Sequence, residues 1–155
     1  MNQAGGYFGK KVEYKGYKFD STKEADFFRH FIEDTGLKYK VHPSFELIPK
    51  FEVYDGLLNI RSMKYTPDFV IYDEQGNLKH VLDIKNSFKA PYGIDTAASN
   101  RFKLFAKKYQ IPVEVIVPRT HDFRMKVVGT TKKFEPIILD DLGYDLRAVI
   151  ESHYE

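Results

Sequence analysis

Two apolar stretches that carry acids constrain this chain more than any other feature. Residues 65–73 read Tyr-Thr-Pro-Asp-Phe-Val-Ile-Tyr-Asp and residues 78–85 read Leu-Lys-His-Val-Leu-Asp-Ile-Lys, around a turn at Glu74-Gln75-Gly76-Asn77. Aromatic and β-branched residues on both sides of a glycine-containing turn specify a β-hairpin. Yet Asp68, Asp83 and Lys85 stand inside arms that otherwise look buried. A two-residue loop at Gln75-Gly76 predicts that Glu74 faces Asn77, which sets Asp68 directly opposite Asp83. Cross-strand neighbours have Cβ atoms about 4.5–5.5 Å apart. Side chains alternate along a strand, so Lys85 shares the face of Asp83 while Leu82 and Ile84 point the other way. Phe69 and Ile71 likewise point away from Asp68. A slip of one residue sends the carboxylates to opposite faces.

Two carboxylates this close repel one another, and partial burial adds a desolvation cost. A divalent cation relieves both penalties. Converging oxygen ligands suit Mg²⁺ or Mn²⁺ rather than zinc, which favours His or Cys. A lysine beside such a metal orients a water or offsets developing negative charge. That combination suits phosphodiester hydrolysis.

Pro67-Asp68 followed by Asp83-Ile84-Lys85 resembles the signature of the PD-(D/E)XK nuclease superfamily. Ser21-Thr22-Lys23-Glu24 resembles the helical S-x-x-E element that precedes it, and the Tyr-Thr-Pro-Asp-Phe wording is similar to small phage-encoded junction-resolving endonucleases. The resemblance spans Phe19 to Val117. It implies an α/β fold with a restriction-endonuclease-like core, a mixed central sheet with an antiparallel hairpin flanked by helices. The implied order is helix, three antiparallel strands, helix and a further strand. The implied activity is Mg²⁺-dependent cleavage of DNA, with Mn²⁺ as a substitute cofactor and a 5′-phosphate product. Asp83 stands where many members carry Glu, and Asn86 where relatives often place Gly.

Carried onto this sequence, the resemblance makes Asp68 and Asp83 the metal carboxylates, with the backbone carbonyl of Ile84 as a further ligand. Lys85 is the residue that orients the attacking water, and Glu24 an auxiliary. Glu24 also has a purely local reading, because Ser21 and Glu24 form a capping box at a helix start. A branched DNA substrate such as a Holliday junction follows from the same resemblance, and symmetric cutting of such a substrate requires two sites, hence a homodimer.

The chain has 155 residues, 43% of them hydrophobic and 15% aromatic, the size and composition of a single domain with a substantial core. No 18-residue apolar run or signal-peptide region is present, so neither a membrane span nor a membrane partner is expected. Cysteine is absent, which excludes a disulfide framework and fits the cytoplasm, a host cell's if the protein is phage-encoded. Net charge is only +2, but its distribution is uneven. From Arg101 to Lys133 there are nine basic residues against two acids, and from Phe134 onward one against six. This polarity is compatible with a phosphate-binding face and an acidic tail, or with ordinary solvated surfaces.

Residues 1–9 read as a flexible arm, followed by Lys10 and Lys11. Val12 to Phe19 reads as a short hairpin around Gly16. A helix is predicted from Ser21 to about Asp34, with Ala25, Phe28, Phe31 and Ile32 inward. A strand over Ser44–Ile48 extends into Phe51–Val53, Tyr54-Asp55-Gly56 turns, and a strand starting within Leu57–Met63 continues into the central hairpin. A second helix, capped by Asp95 or Thr96, runs to about Tyr109, and Val113 to Val117 is a strand covered on both faces. Residues 119–126 read as a basic loop with an edge strand, and 140–153 as a terminal helix whose Leu142, Leu146, Val149 and Ile150 close the core or, as the less favoured alternative, make a dimer contact. None of the five histidines has a partner at ligand spacing, so His30, His42, His80, His121 and His153 are read as structural.

Candidate DNA contacts are Lys89, with Tyr92 nearby, in the loop after Lys85, then Asn100, Arg101 and Lys103 on the second helix, and Arg119, Arg124 and Lys126 in the basic segment. Two alternatives to the branched-DNA nuclease stay open. One is a catalytically silent DNA-binding module in which Asp83 simply pairs with Lys85 or Lys64. The other is a linear-duplex nicking or restriction-type enzyme.

Overall fold

The computed structural model describes residues 11–89 and 93–154. The arm read over residues 1–9, together with Lys10 and Tyr92, lies outside these. Strands β1 (Val12–Tyr14) and β2 (Tyr17–Phe19) form the expected hairpin. Lys15 and Gly16 close it at φ 54° and 82°, the left-handed pair that a tight hairpin turn demands.

Helix α1 (Thr22–Phe27) begins at Ser21, whose Oγ accepts from the Glu24 amide at 3.1 Å. It runs into a π turn at Phe28–Ile32, where the Glu33 amide donates to the Phe28 carbonyl. The helix therefore ends at Ile32, short of the predicted Asp34. Asp34 and Gly36 take left-handed conformations, and the Thr35 hydroxyl binds the Ile32 carbonyl and stops the ladder. Phe27, Phe28, Phe31 and Ile32 all reach the core.

The next strand differs from expectation. β3 (Lys38–Val41) pairs antiparallel with β8 (Phe69–Tyr72) and forms one edge of the main sheet. Its exposed Lys38 and Lys40 alternate with half-buried Tyr39 and Val41, as suits an edge strand. β4 (Phe45–Ile48) pairs instead with β7 (Met63–Tyr65), and β5 (Phe51–Val53) with β6 (Leu58–Ile60). β7 does not continue into the central hairpin as predicted. Pro67 lacks the N–H that a continuous ladder would need, and the chain changes sheets there.

The main sheet has six strands in the order β12-β11-β10-β9-β8-β3. These include β9 (Leu78–Ile84), β10 (Glu114–Pro118), β11 (Phe123–Lys126) and β12 (Ile137–Leu139). Pairing is antiparallel except between β9 and β10. That parallel step is joined by α2 (Thr96–Tyr109), whose first turn is capped by Asp95 accepting from the Ala98 amide at 2.7 Å. The protein is thus mixed α/β, with three α-helices and a mixed sheet among the described residues.

Strand alternation sorts the core into two layers. Phe69, Ile71, Leu82 and Ile116 face α1, while Val70, Val81 and Val115 face Ala98, Phe102 and Phe105 of α2. β10 is buried on both faces, as its continuous apolar run required. β11 lies inside the sheet and not at its edge, because β12, three residues just after Pro136, covers it. The terminal helix α3 (Leu146–His153) starts later than predicted. Asp145 caps it, and Leu142 enters the core from the preceding turn. Among the described residues no helix is long and apolar enough to cross a membrane.

Candidate active site

The hairpin register places the acids. Phe69 pairs with Leu82, Val70 with Val81 and Ile71 with His80, and the Asp68 amide donates to the Leu82 carbonyl at 3.0 Å. Continued by one residue, this register sets Asp68 opposite Asp83, as the sequence predicted. The turn that produces it is different. Asp73 pairs with Asn77 through a 2.9 Å bond, the Gly76 amide donates to the Asp73 carbonyl, and Gly76 sits at φ 85°. The loop is therefore three residues, Glu74-Gln75-Gly76. Asp73 selects it, because its carboxylate accepts from the amides of both Gln75 and Asn77. The longer loop shifts Tyr72 onto Leu78, and Lys79, the extra residue before His80, shifts the pairing back. Two one-residue deviations cancel.

The acids open into a polar cavity of about 490 Å³ lined by Glu24, Asp68, Asp83, Lys85 and the cations Lys23, Lys64 and Arg101. Asp68 Oδ2 accepts from the Ile84 amide at 2.6 Å, so the strand that carries Asp83 also holds Asp68. Asp83 accepts from the Tyr65 hydroxyl at 2.7 Å on Oδ2, and Lys85 Nζ lies 3.2 Å from its Oδ1. Burial keeps the Tyr65 hydroxyl protonated well above its ordinary pKa, with the Asp83 charge adding to the effect. Ile84 lines the same cavity.

Glu24 is 3% exposed, belongs to the helix cap and lines the cavity. Its Oε1 accepts from the backbone amide of Asp20, not Ser21, so the capping box closes one residue early. The same oxygen lies 2.9 Å from His42 Nε2. His42, read as structural from the sequence, stands at the site. Its backbone amide donates to the Asp68 carbonyl, its ring lies 3.9 Å from Asp68 Oδ1, and its φ is 52°. A left-handed histidine directly before a proline is strained, and such strain collects at functional sites. Asp20, Glu24, His42 and Asp68 offer ligand atoms within 4.8 Å of one another. Asp20 and His42 come from separate elements, and no spacing in the chain marks them.

These groups share protons unevenly. Burial lifts the Asp68 carboxyl well above the usual carboxylate range, with the Asp83 charge and the bond to Glu24 acting in the same direction. Burial also pushes Glu24 upward, but its bonds to His42 and Asp68 prevail and hold it below its usual value. His42 is held above its usual value by the bond to Glu24, against burial. Three carboxylates and one imidazole could hold a metal ion, and Asp83 is not one of the four.

The predicted DNA contacts divide. Arg101 lines the cavity. Arg124 and Lys126, on the α2 side of β11, lie 5.4 and 6.0 Å from the ring centre of Phe88, in the loop that also carries Lys89. Asn100 and Lys89 are exposed, and Lys103 lays its stem against Gly129 along a separate groove. Arg119 is not brought to the cavity. It forms two bonds of 2.6 and 2.7 Å to Asp122 in its own hairpin turn and lines a different groove.

The fold and site together define a mixed α/β protein with a polar, charged cavity built where strands β8 and β9 meet α1. Residues 5–123 match the family described as a protein of unknown function, DUF1064, and the chain belongs to that family. No curated protein matches the chain, and no solved structure does.

Proposed function

We propose that this protein is a metal-dependent endonuclease of the PD-(D/E)XK type that hydrolyses DNA phosphodiester bonds, with branched DNA as its preferred substrate. The observation that carries the reading is the facing of Asp68 and Asp83 across one hairpin, with Lys85 on the same cavity. The element order supports it: a helix, the antiparallel strands β3, β8 and β9, a helix, and β10 parallel to β9. A restriction-endonuclease-like core has that order.

Asp68 and Asp83 would hold the cation, with Glu24 beside Asp68. A bound Mg²⁺ would supply Lewis acidity at the phosphoryl oxygen and a readily ionised water. Lys85 orients the attacking water and offsets charge on the phosphorus as the 3′-oxygen leaves. Asp83 fixes the Lys85 ammonium, and Tyr65 fixes Asp83. Arg101, then Arg124 and Lys126 beside Phe88, extend positive charge from the cavity along the α2 side for the DNA backbone.

The test is a panel of four-way junction, flap, linear duplex, single strand and RNA, each with and without Mg²⁺. Cleavage of the junction only with Mg²⁺ is expected, and a panel left intact refutes the reading. A second reading, a silent DNA-binding module, is favoured by the Asp83–Lys85 pair, which can be purely structural. It predicts junction binding with no cleavage by the wild type.

A further inference from the structure

We propose that His42 is a metal ligand, and that with Asp20, Glu24 and Asp68 it forms a cation site of its own, selective for a first-row transition ion, beside the Asp68–Asp83 pair. Three parts of the chain converge on it. Asp20 and Glu24 flank the start of α1, His42 follows β3, and Asp68 precedes β8. An octahedral cation with ligands at about 2.1 Å sets adjacent donor atoms about 3 Å apart and opposite ones about 4 Å apart. One donor atom from each of the four residues lies within 4.8 Å of the others, and His42 Nε2 stands 2.9 Å from Glu24 Oε1 and 3.9 Å from Asp68 Oδ1. The four groups are thus already spaced close to the shell of a single ion. Asp83 is outside that shell, because Tyr65 and Lys85 take up its two oxygens.

Charge calls for a cation here. Glu24 is buried and the Asp68 side chain is only 14% exposed, yet three carboxylates meet one imidazole. Among the described residues no lysine or arginine pairs with Asp20, Glu24 or Asp68, whereas Asp83 has Lys85. Buried carboxylates without a counter-charge are costly, and a divalent ion removes that cost. Such an ion has a way in, since Asp20, Glu24 and Asp68 all line the cavity. The imidazole selects the ion: Mg²⁺ takes oxygen ligands, while a nitrogen donor favours a first-row transition ion. The backbone holds the ring in place, because the His42 amide donates to the Asp68 carbonyl at 3.0 Å. Nothing in this depends on the nuclease reading, as the cation can bind with no DNA present.

Pulsed EPR of Mn²⁺ bound to the full chain, without DNA, tests it. The wild type is expected to show coupling of the ion to an imidazole nitrogen. Asparagine tolerates the φ of 52° at position 42, so His42→Asn removes the ring and keeps the fold, which a melting curve verifies. That variant should lose the coupling and bind Mn²⁺ at least about tenfold more weakly, with a smaller change for Mg²⁺. Asp20→Ala, at an exposed position, should weaken Mn²⁺ and keep the coupling, and Asp83→Ala should keep it too. A wild type without nitrogen coupling overturns the proposal, as does coupling that survives in His42→Asn. Equal losses of Mn²⁺ and Mg²⁺ in that variant overturn the selectivity. Unchanged Mn²⁺ affinity in Asp20→Ala overturns the four-residue set, and loss of the coupling in Asp83→Ala overturns the separation from Asp83. A protein that shows the coupling but cuts no DNA keeps this site and loses the nuclease reading.

Discussion

Asp68 is the residue on which the cavity turns. It faces Asp83, lies beside Glu24 and accepts from the Ile84 amide, and burial raises its carboxyl well above the usual carboxylate range. Its folded pKa is raised, so above the ordinary Asp pKa the metal-free folded chain keeps a proton that the unfolded chain has released. The stability this group contributes therefore falls as pH rises toward its folded pKa. A cation must displace that proton, so cation binding strengthens with pH. The rise in melting temperature on adding Mg²⁺ is expected to grow as pH rises through the range in which Asp68 loses its proton. A rise that does not change with pH would contradict this assignment of the proton, and Asp68→Asn should abolish the shift. Asp68, Asp83 and Lys85 were legible in the sequence because they interrupt apolar runs. His42 and Asp20 were not, since a single histidine before a proline and an acid before a helix cap are ordinary residues until the fold brings them to Glu24.

At the scale of elements, the hairpin between β8 and β9 was legible where side chains decide it and illegible where backbone geometry does. Alternation placed Asp68, Asp83 and Lys85 relative to their apolar neighbours, but the register was reached through a two-residue turn that the fold does not have, and it holds because two one-residue deviations cancel. The Asp73 carboxylate and the Lys79 bulge, which set the turn, leave no mark on that pattern. β3 was missed because only Tyr39 and Val41 of its four residues are apolar and the strand of that stretch was placed at Ser44–Ile48, and β12 because three residues are too few. One turn and one cap give direct tests. A Cβ at Gly76 meets nothing within 4 Å, so the cost of Gly76→Ala is conformational alone. Its φ of 85° should make that cost about 1–2 kcal/mol in urea unfolding. Ser21→Ala should cost about 1 kcal/mol by losing the bond to the Glu24 amide. No measurable loss in either variant would contradict the turn or the cap.

Across the whole molecule, a second buried polar cluster ties the carboxy-terminal segment to the sheet. His80 and Glu114 are both fully buried, His80 Nδ1 lies 2.6 Å from Glu114 Oε2, and His80 Nε2 lies 3.1 Å from the Tyr144 carbonyl. The Tyr144 hydroxyl donates to the other Glu114 oxygen. Removing one member strands the rest, so Glu114→Ala should destabilise by about 3–5 kcal/mol. A loss below about 1 kcal/mol would show that the cluster does not bind the segment to the sheet. The histidine was read correctly as structural from sequence, but its partner Glu114 was hidden inside an apolar strand.

The central claim is that Asp68 and Asp83, brought together by one hairpin, hold the cation that cleaves DNA. Single-turnover cleavage of an end-labelled four-way junction in Mg²⁺, by wild type and by Asp83→Ala, tests it most directly, with binding followed in parallel. The account predicts a rate at least about 100-fold lower for the variant, with junction binding retained. Equal cleavage by the two proteins would contradict it.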